Sequence, residues 1–219
     1  MLNHTHRSHG EVIEQLAEPH PLLAQLGSVE GLVTLSAATA SLRREPIDSF
    51  ESLVRFLEVY QTRILLPLEL PAIYRAYQHA CRGETRELIA LDVEIGKLPI
   101  LREFASASHR VGYGQLSRLK PLRYERLVQR YLQAVEDGHA KAWHTLVYGV
   151  TLALYSIPVR QGLMHYARQT LGGFIHSATR PLQLSEKKTL VILDNLCADL
   201  RPKLEELIAS DKINTMQLE

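Results

Sequence analysis

Between Ala142 and Val159 the chain carries no formal charge, and only His144, Thr145, Gly149, Thr151, Ser156 and Pro158 interrupt a text of apolar and aromatic residues. The run is about as long as the shortest transmembrane spans, yet hydrocarbon cannot satisfy so many polar groups and a proline. Surrounding protein can. The run therefore predicts a core helix that turns at Ser156-Ile157-Pro158, followed by a second helix and a proline-marked corner beginning at Arg180. From His144 to Glu186 the order reads as buried helix, turn, helix, exposed corner, and the rest of the chain must cover it.

The composition can supply that cover. Of 219 residues 46% are hydrophobic and 22% charged, which excludes disordered and fibrous classes. The 25 Lys+Arg against 24 Asp+Glu leave a net charge of +1 with no long run of one sign. Nucleic-acid binding draws its affinity from a basic stripe that is absent here. Two cysteines, Cys81 and Cys197, stand in no short ligand spacing. A reducing, cytoplasmic setting is the natural expectation. The first residues, MLNHTHRSHGEVIEQL, lack the apolar core of an export signal, and no membrane association is expected.

Helical periodicity dominates the remaining sequence. Residues 1–10 hold His4, His6 and His9 without apolar spacing and read as a mobile tail, with a loose divalent-metal site as the alternative. Leu32, Leu35 and Leu42 fit a helix with small residues between them. Asp48 with Glu51 three residues on predicts a capping box, with Ile47 as a staple, opening a helix whose stripe is Leu53, Phe56, Leu57, Tyr60 and Ile64. Pro67 and Pro71 are read as separating it from a helix bearing Leu70, Ile73, Tyr74, Tyr77 and Cys81, the cysteine closing a core stripe. Helical stretches follow over 84–95 and 98–119. A stripe of Tyr124, Leu127, Val128, Tyr131 and Val135 then stops at Asp137-Gly138. After the central stretch, Ser185 predicts an N-cap for a helix with Leu190, Leu193, Cys197 and Leu200 inward, divided at Pro202 from Leu204 and Ile208. No strand-like alternation appears. The expectation is an all-α, single-domain bundle of about eight to ten helices over residues 11–208, with a tail over 209–219.

Known catalytic constellations find little support. No GxxxxGK[ST] or GxGxxG cradles a phosphate. Glu136-Asp137-Gly138-His139 is a lone Glu-x-x-His at a helix end, where a di-iron bundle needs two. Gly112 and Gly114 around Tyr113 predict a close helix contact rather than a polar pocket. His144, His165 and His176 are read as hydrogen-bonded core or interface histidines rather than ligands. The residues by themselves point to a non-enzymatic interaction protein. An all-α ligand-binding or regulatory domain is the alternative, with a pocket for a small apolar molecule around Tyr148, Gly149, Tyr166 and Gly172-Gly173.

The ordered motifs add a resemblance. His144 with Val147-Tyr148-Gly149, the turn Ser156-Ile157-Pro158, the helix through Leu163, Tyr166 and Leu171, and Arg180-Pro181-Leu182-Gln183-Leu184-Ser185-Glu186 form a pattern similar to that of the urease accessory protein family UreF. Ala107-Ser108-His109-Arg110-Val111-Gly112 followed by Leu116 resembles that family's Arg-Glu-Ala-Ser-x-x-x-Gly helix, and the likeness spans about residues 22 to 200. Near the start only Gly31 matches the family's glycine-rich turn. Ala105-Ser106 replaces an Arg-Glu, and Ser185-Glu186 a Gly-Gln.

The resemblance implies a dimeric helical scaffold that bridges a UreD/UreH-like protein to the GTPase UreG and reaches the urease apoprotein through that complex. It needs no cofactor of its own, with nickel handled by the complex. It places partner contacts at Arg180, Gln183, Ser185, Glu186 and Arg110, and packing or dimer-core roles at Tyr148, Gly149, Gly112 and Tyr166. Arg180 suits a bidentate contact on a carboxylate, or equally a last-turn charge favouring the helix dipole.

Overall fold

The computed structural model describes residues 47–216, with side chains through residue 209. The histidine tail, the helix through Leu32, Leu35 and Leu42, and the end of the chain lie outside those residues. Ser49, rather than Asp48, caps the first helix. Its hydroxyl accepts from the Ser52 amide at 3.2 Å, and the Ser52 hydroxyl accepts from the Ser49 amide at 3.0 Å. The capping box therefore sits one residue later than expected, on Ser49 and Ser52. Helix α1, Phe50–Tyr60, buries Leu53, Phe56, Leu57 and Tyr60, as its stripe requires.

The prolines that follow do not break it. Gln61–Glu69 winds as a π-helix containing Pro67, and α2, Leu70–Arg82, continues with Pro71 in its first turn. Pro67 in an α-helix would strike the carbonyl four residues back. Widening to i→i+5 bonds, such as Leu70 N–H to Leu65 O, removes that clash without ending the rod.

The remaining elements are α3, Thr85–Gly96, a 3-10 segment, Pro99–Phe104, leading into α4, Ala105–Arg118, then α5, Arg126–Glu136, α6, His144–Leu154, α7, Val159–Thr179, and α8, Glu186–Met216. With α1 and α2 joined, the described residues form seven continuous helices and no strand. That is slightly fewer than the eight to ten expected over residues 11–208, of which those before residue 47 lie outside the described residues, and neither Pro67 nor Pro71 ends a helix. Pro202 likewise lies inside α8 on its exposed side, where the lost amide bond faces water. Among the described residues no helix is long and apolar enough to cross a membrane.

Helix α6 is the centre. Nine of its residues, His144 to Leu152, are buried. Against it lies α2, and Gly149 permits the contact: a Cβ there would strike the Ile73 carbonyl and come within 2.9 Å of Ala76 Cβ. Gly112 of α4 lies in the same way against the Ala142 carbonyl. Gly114 does not take part, since a Cβ there meets nothing within 4 Å.

Helices α7 and α8 form a hairpin pinned by Arg168–Asp194 at 2.9 Å and Arg160–Glu205 at 2.8 Å. The buried row of α8 is Ile192, Leu196, Leu200, Leu204 and Ile208, every fourth residue, with Cys197 beside it. Leu190, expected inward, is 47% exposed, because the four-residue row leaves it on the outer side of the first turns. Two further expectations fail at element ends. Cys81 is exposed in the last turn of α2, and Tyr124 is 96% exposed in the turn before α5.

Candidate interaction site and its supporting network

The start of α6 has no cap from its own sequence. Trp143 stands at the N-cap without a side-chain bond, so the orphan amides of the first turn are met from elsewhere. Asp92 of α3, fully buried, accepts from Lys141 N at 2.6 Å, Trp143 N at 3.3 Å and the Tyr131 hydroxyl at 2.6 Å. Between the two amides sits Ala142 with φ of 56°, left-handed backbone that an alanine adopts only at a cost. Asp92 holds the strained residue from both sides, and its charge complements the helix N-terminus. Ser108 of α4 completes the cap, its Oγ accepting from His144 N at 3.1 Å.

From that cap a polar chain crosses the core. The His144 ring lies 2.8 Å by Nδ1 from Ser108 Oγ and 2.8 Å by Nε2 from the Tyr166 hydroxyl. Near its Tyr166 end, the Tyr60 hydroxyl lies 3.0 and 3.1 Å from the two carboxyl oxygens of Glu69. All of these side chains are buried. Burial holds the Glu69 carboxyl up at about 7, against the smaller downward pull of the tyrosine hydrogen bonds. Burial pushes His144 down to about 3, helped by His109, so the imidazole is neutral at ordinary pH.

The π-helix makes the Tyr60–Glu69 pair possible. Nine residues of α-helix make about two and a half turns, which would put Glu69 opposite Tyr60. The wider winding returns Glu69 to Tyr60's face.

His144 is thus a hydrogen-bonded core histidine, as expected. His165 is half-buried with an unpartnered Nε2, and His176 is exposed near the end of α7. Tyr148 and Tyr166 pack ring to ring at 5.3 Å, and the Tyr148 hydroxyl donates to the Gly162 carbonyl at 3.1 Å. With Gly149 against α2, the space offered as an apolar ligand pocket is filled by ring and backbone contacts. An open groove of about 450 Å³ lies instead where the end of α2 faces Pro158 and Ile208. The described residues bring no three His, Cys, Asp or Glu side chains together for a metal.

The corner between α7 and α8 is exposed at Arg180, Gln183, Ser185 and Glu186. Gln183, with φ of 51°, makes the reversal, and its amide donates to Arg180 O at 3.2 Å. Ser185 caps α8 as expected, its Oγ 3.4 Å from Lys188 N. Among the described residues Arg180 and Glu186 form no ion pair, which leaves their charges to solvent. Arg110 is exposed on α4, a different element. The expected partner contacts are therefore surface residues on two elements, while Tyr148, Gly149, Gly112 and Tyr166 form the packing beneath.

Glu69 and Asp92 were not singled out by the sequence, and Tyr60 only as a member of a core stripe. A lone glutamate in the apolar stretch ILLPLELP is the signal that marks the first of them.

A family model described as UreF matches residues 47–197, well over half of the chain. The match covers the polar chain, the cap of α6 and the corner. No curated protein matches.

Proposed function

The chain belongs to the UreF family of urease accessory proteins, and from that footing we propose that it is a non-enzymatic scaffold bridging a UreD/UreH-like protein to the GTPase UreG while nickel enters urease. The observation that supports this most is the extent of the family match. It runs unbroken from the start of α1 to Cys197 and includes the exposed corner at Arg180–Glu186. Nickel is cargo of the assembled complex, and this chain supplies shape and surface. Such a scaffold works in the cytoplasm as a homodimer, with Tyr148, Gly149, Gly112 and Tyr166 stiffening the packing beneath its contact surfaces.

Co-expression with UreD-like and UreG-like proteins tests the proposal. Both are expected to purify with this chain at low salt, and a chain that stays free of both would contradict the scaffold. Arg180 is exposed without an ion partner, so Arg180→Ala should move folding stability by no more than about 0.5 kcal/mol. Retention of the partners should fall roughly tenfold, the loss expected when an arginine anchor of a contact is truncated. A collapse in thermal stability would make Arg180 structural instead.

A further inference from the structure

We propose that the exposed turn between α4 and α5, with the arginines on either side of it, is a docking face for an acidic segment of a partner protein. The inference rests on the scaffold reading and adds to it the place and the chemistry of one contact. From Arg118 to Arg130 the chain carries Arg118, Lys120, Arg123, Arg126 and Arg130 against Glu125 alone. Five of the 25 Lys+Arg and one of the 24 Asp+Glu fall in this stretch, which makes it +4 and leaves the rest of the chain at −3. No two of the cations are adjacent, so they make no run in the sequence. Folding gathers them. Leu119, Leu127 and Val128 between them are buried, and all five cations are exposed.

The turn that carries them is held in one shape. Gln129 of α5 donates through Nε2 to the Lys120 and Leu122 carbonyls at 3.1 Å each, which ties the turn to the helix it leads into. The Leu122 amide donates to Leu119 O at 2.9 Å, and the Glu125 amide to Leu122 O at 3.1 Å. Lys120 reaches Glu136 of α5 at 3.6 Å, and among the described residues it is the only one of the five cations in an ion pair. Four arginines stand on a fixed backbone with their charges open to solvent. A face ordered before binding gives up less conformational freedom when it is occupied.

Tyr124, within the turn, is 96% exposed. Tyrosine and arginine are the residues in which the centres of protein contacts are enriched. Arginine forks match carboxylates through two parallel hydrogen bonds, and four of the five cations are arginine. Phosphates accept the same forks, so extent decides between an acidic protein and a nucleic acid or anionic membrane. The latter two carry negative charge well past the patch, onto a chain that is −3 elsewhere, and a phosphate backbone would have to run over Glu125. The carboxylates of a protein can be confined to the turn and spaced around Glu125. Arg110, a partner contact implied by the family likeness, is exposed two turns earlier on α4, about 12 Å along the helix from Arg118.

Retention of purified UreD-like and UreG-like proteins by the immobilised full-length chain tests the face, at physiological salt where distant charges are screened. The combined variant Arg118→Glu, Arg123→Glu, Arg126→Glu and Arg130→Glu should retain one of the two proteins at least about tenfold less than the parent, because like charges now meet. Reversal of four exposed cations elsewhere, Arg55→Glu, Arg63→Glu, Arg86→Glu and Lys97→Glu, makes the same change in net charge and should leave retention nearly unchanged. Circular dichroism checks that both variants are folded. Tyr124→Ala removes a ring that is almost wholly exposed, and it should weaken the same partner even where a fourfold variant fails to fold. Arg126→Lys keeps the charge and supplies an amine, which a carbodiimide should couple to an Asp or Glu of that partner.

Unchanged retention after reversal at the turn, an equal loss in the two fourfold variants, or no effect of Tyr124→Ala would each overturn the proposal. So would binding of an RNA oligonucleotide or of phosphatidylserine vesicles that reversal at the turn abolishes while both proteins stay bound. In all of these the parent still holds its partners and the scaffold reading stands. A parent that retains neither protein removes the scaffold reading, and the docking face with it.

Discussion

Gly149→Leu is expected to lower the unfolding free energy by roughly 3 kcal/mol or more, at the upper end of what overpacking costs. The contact it fills is backbone against backbone. A Cβ at this position meets the Ile73 carbonyl, Ala76 Cβ at 2.9 Å and Tyr77 N at 3.0 Å, none of which can swing aside as a flexible side chain does. Helices α2 and α6 must separate, and α6 is the most completely buried helix of the fold. Even Gly149→Ala should destabilise, although alanine is about 1 kcal/mol better than glycine within an isolated helix. Gly114→Ala is the matched control. No atom lies within 4 Å of its Cβ, so the propensity gain should survive and stability should rise by up to about 1 kcal/mol. Urea unfolding midpoints of the three variants check the order. An unchanged midpoint for Gly149→Leu would mean that α2 and α6 do not meet as described.

The second large effect depends on pH. Folding raises Glu69 from 4.5 to about 7, so between these values the folded chain holds a proton that the unfolded chain has released. Its stabilisation is complete below 4.5 and is lost as pH rises to about 7. At about 1.4 kcal/mol per pH unit the loss amounts to about 3 kcal/mol. His144 carries the opposite sign. Its ordinary 6.5 falls to about 3, so its contribution is present above 6.5 and is lost as pH falls towards 3. Between 4.5 and 6.5 the two slopes oppose each other, and that part of the profile is flattened. Glu69→Gln removes one of them. The stability of the parent relative to this variant should therefore fall by about 3 kcal/mol as pH rises from 4.5 to 7, measured by chemical unfolding at each pH. A constant difference would show that Glu69 ionises in the folded chain as it does unfolded.

The two results draw on features of very different visibility in the sequence. The stripe from Leu53 to Ile64, the burial of the uncharged helix, the Ser185 cap and the family likeness were all legible, because each rests on local spacing or on ordered motifs. The Tyr60–Glu69 pair was not. Tyr60 and Glu69 share a face only after the π-helix has changed the winding, and α-helical periodicity places them opposite. Pro67 had the same effect on the helix count, since a proline announces a break and only the fold reveals that a wider turn absorbs it. Asp92 was hidden for another reason. Its partners, Tyr131, Lys141 and Trp143, are distant in sequence, and nothing in an ordinary amphipathic stretch marks one carboxylate as the anchor of another helix. At Cys81 the period was right but the residue falls in the exposed last turn of its helix, whereas at Leu190 the period itself differed, since α8 buries every fourth residue from Ile192. The exposed corner was legible as a corner, with the left-handed turn falling on Gln183.

A buried helical core beside an exposed charged corner suits the scaffold role proposed for this chain. The nickel content of urease isolated from cells with and without this chain tests that role most directly. Without the chain, urease apoprotein should accumulate to its usual level, carry little nickel and show little activity, and returning the chain should restore both. Urease that is fully loaded with nickel in its absence would contradict the scaffold role.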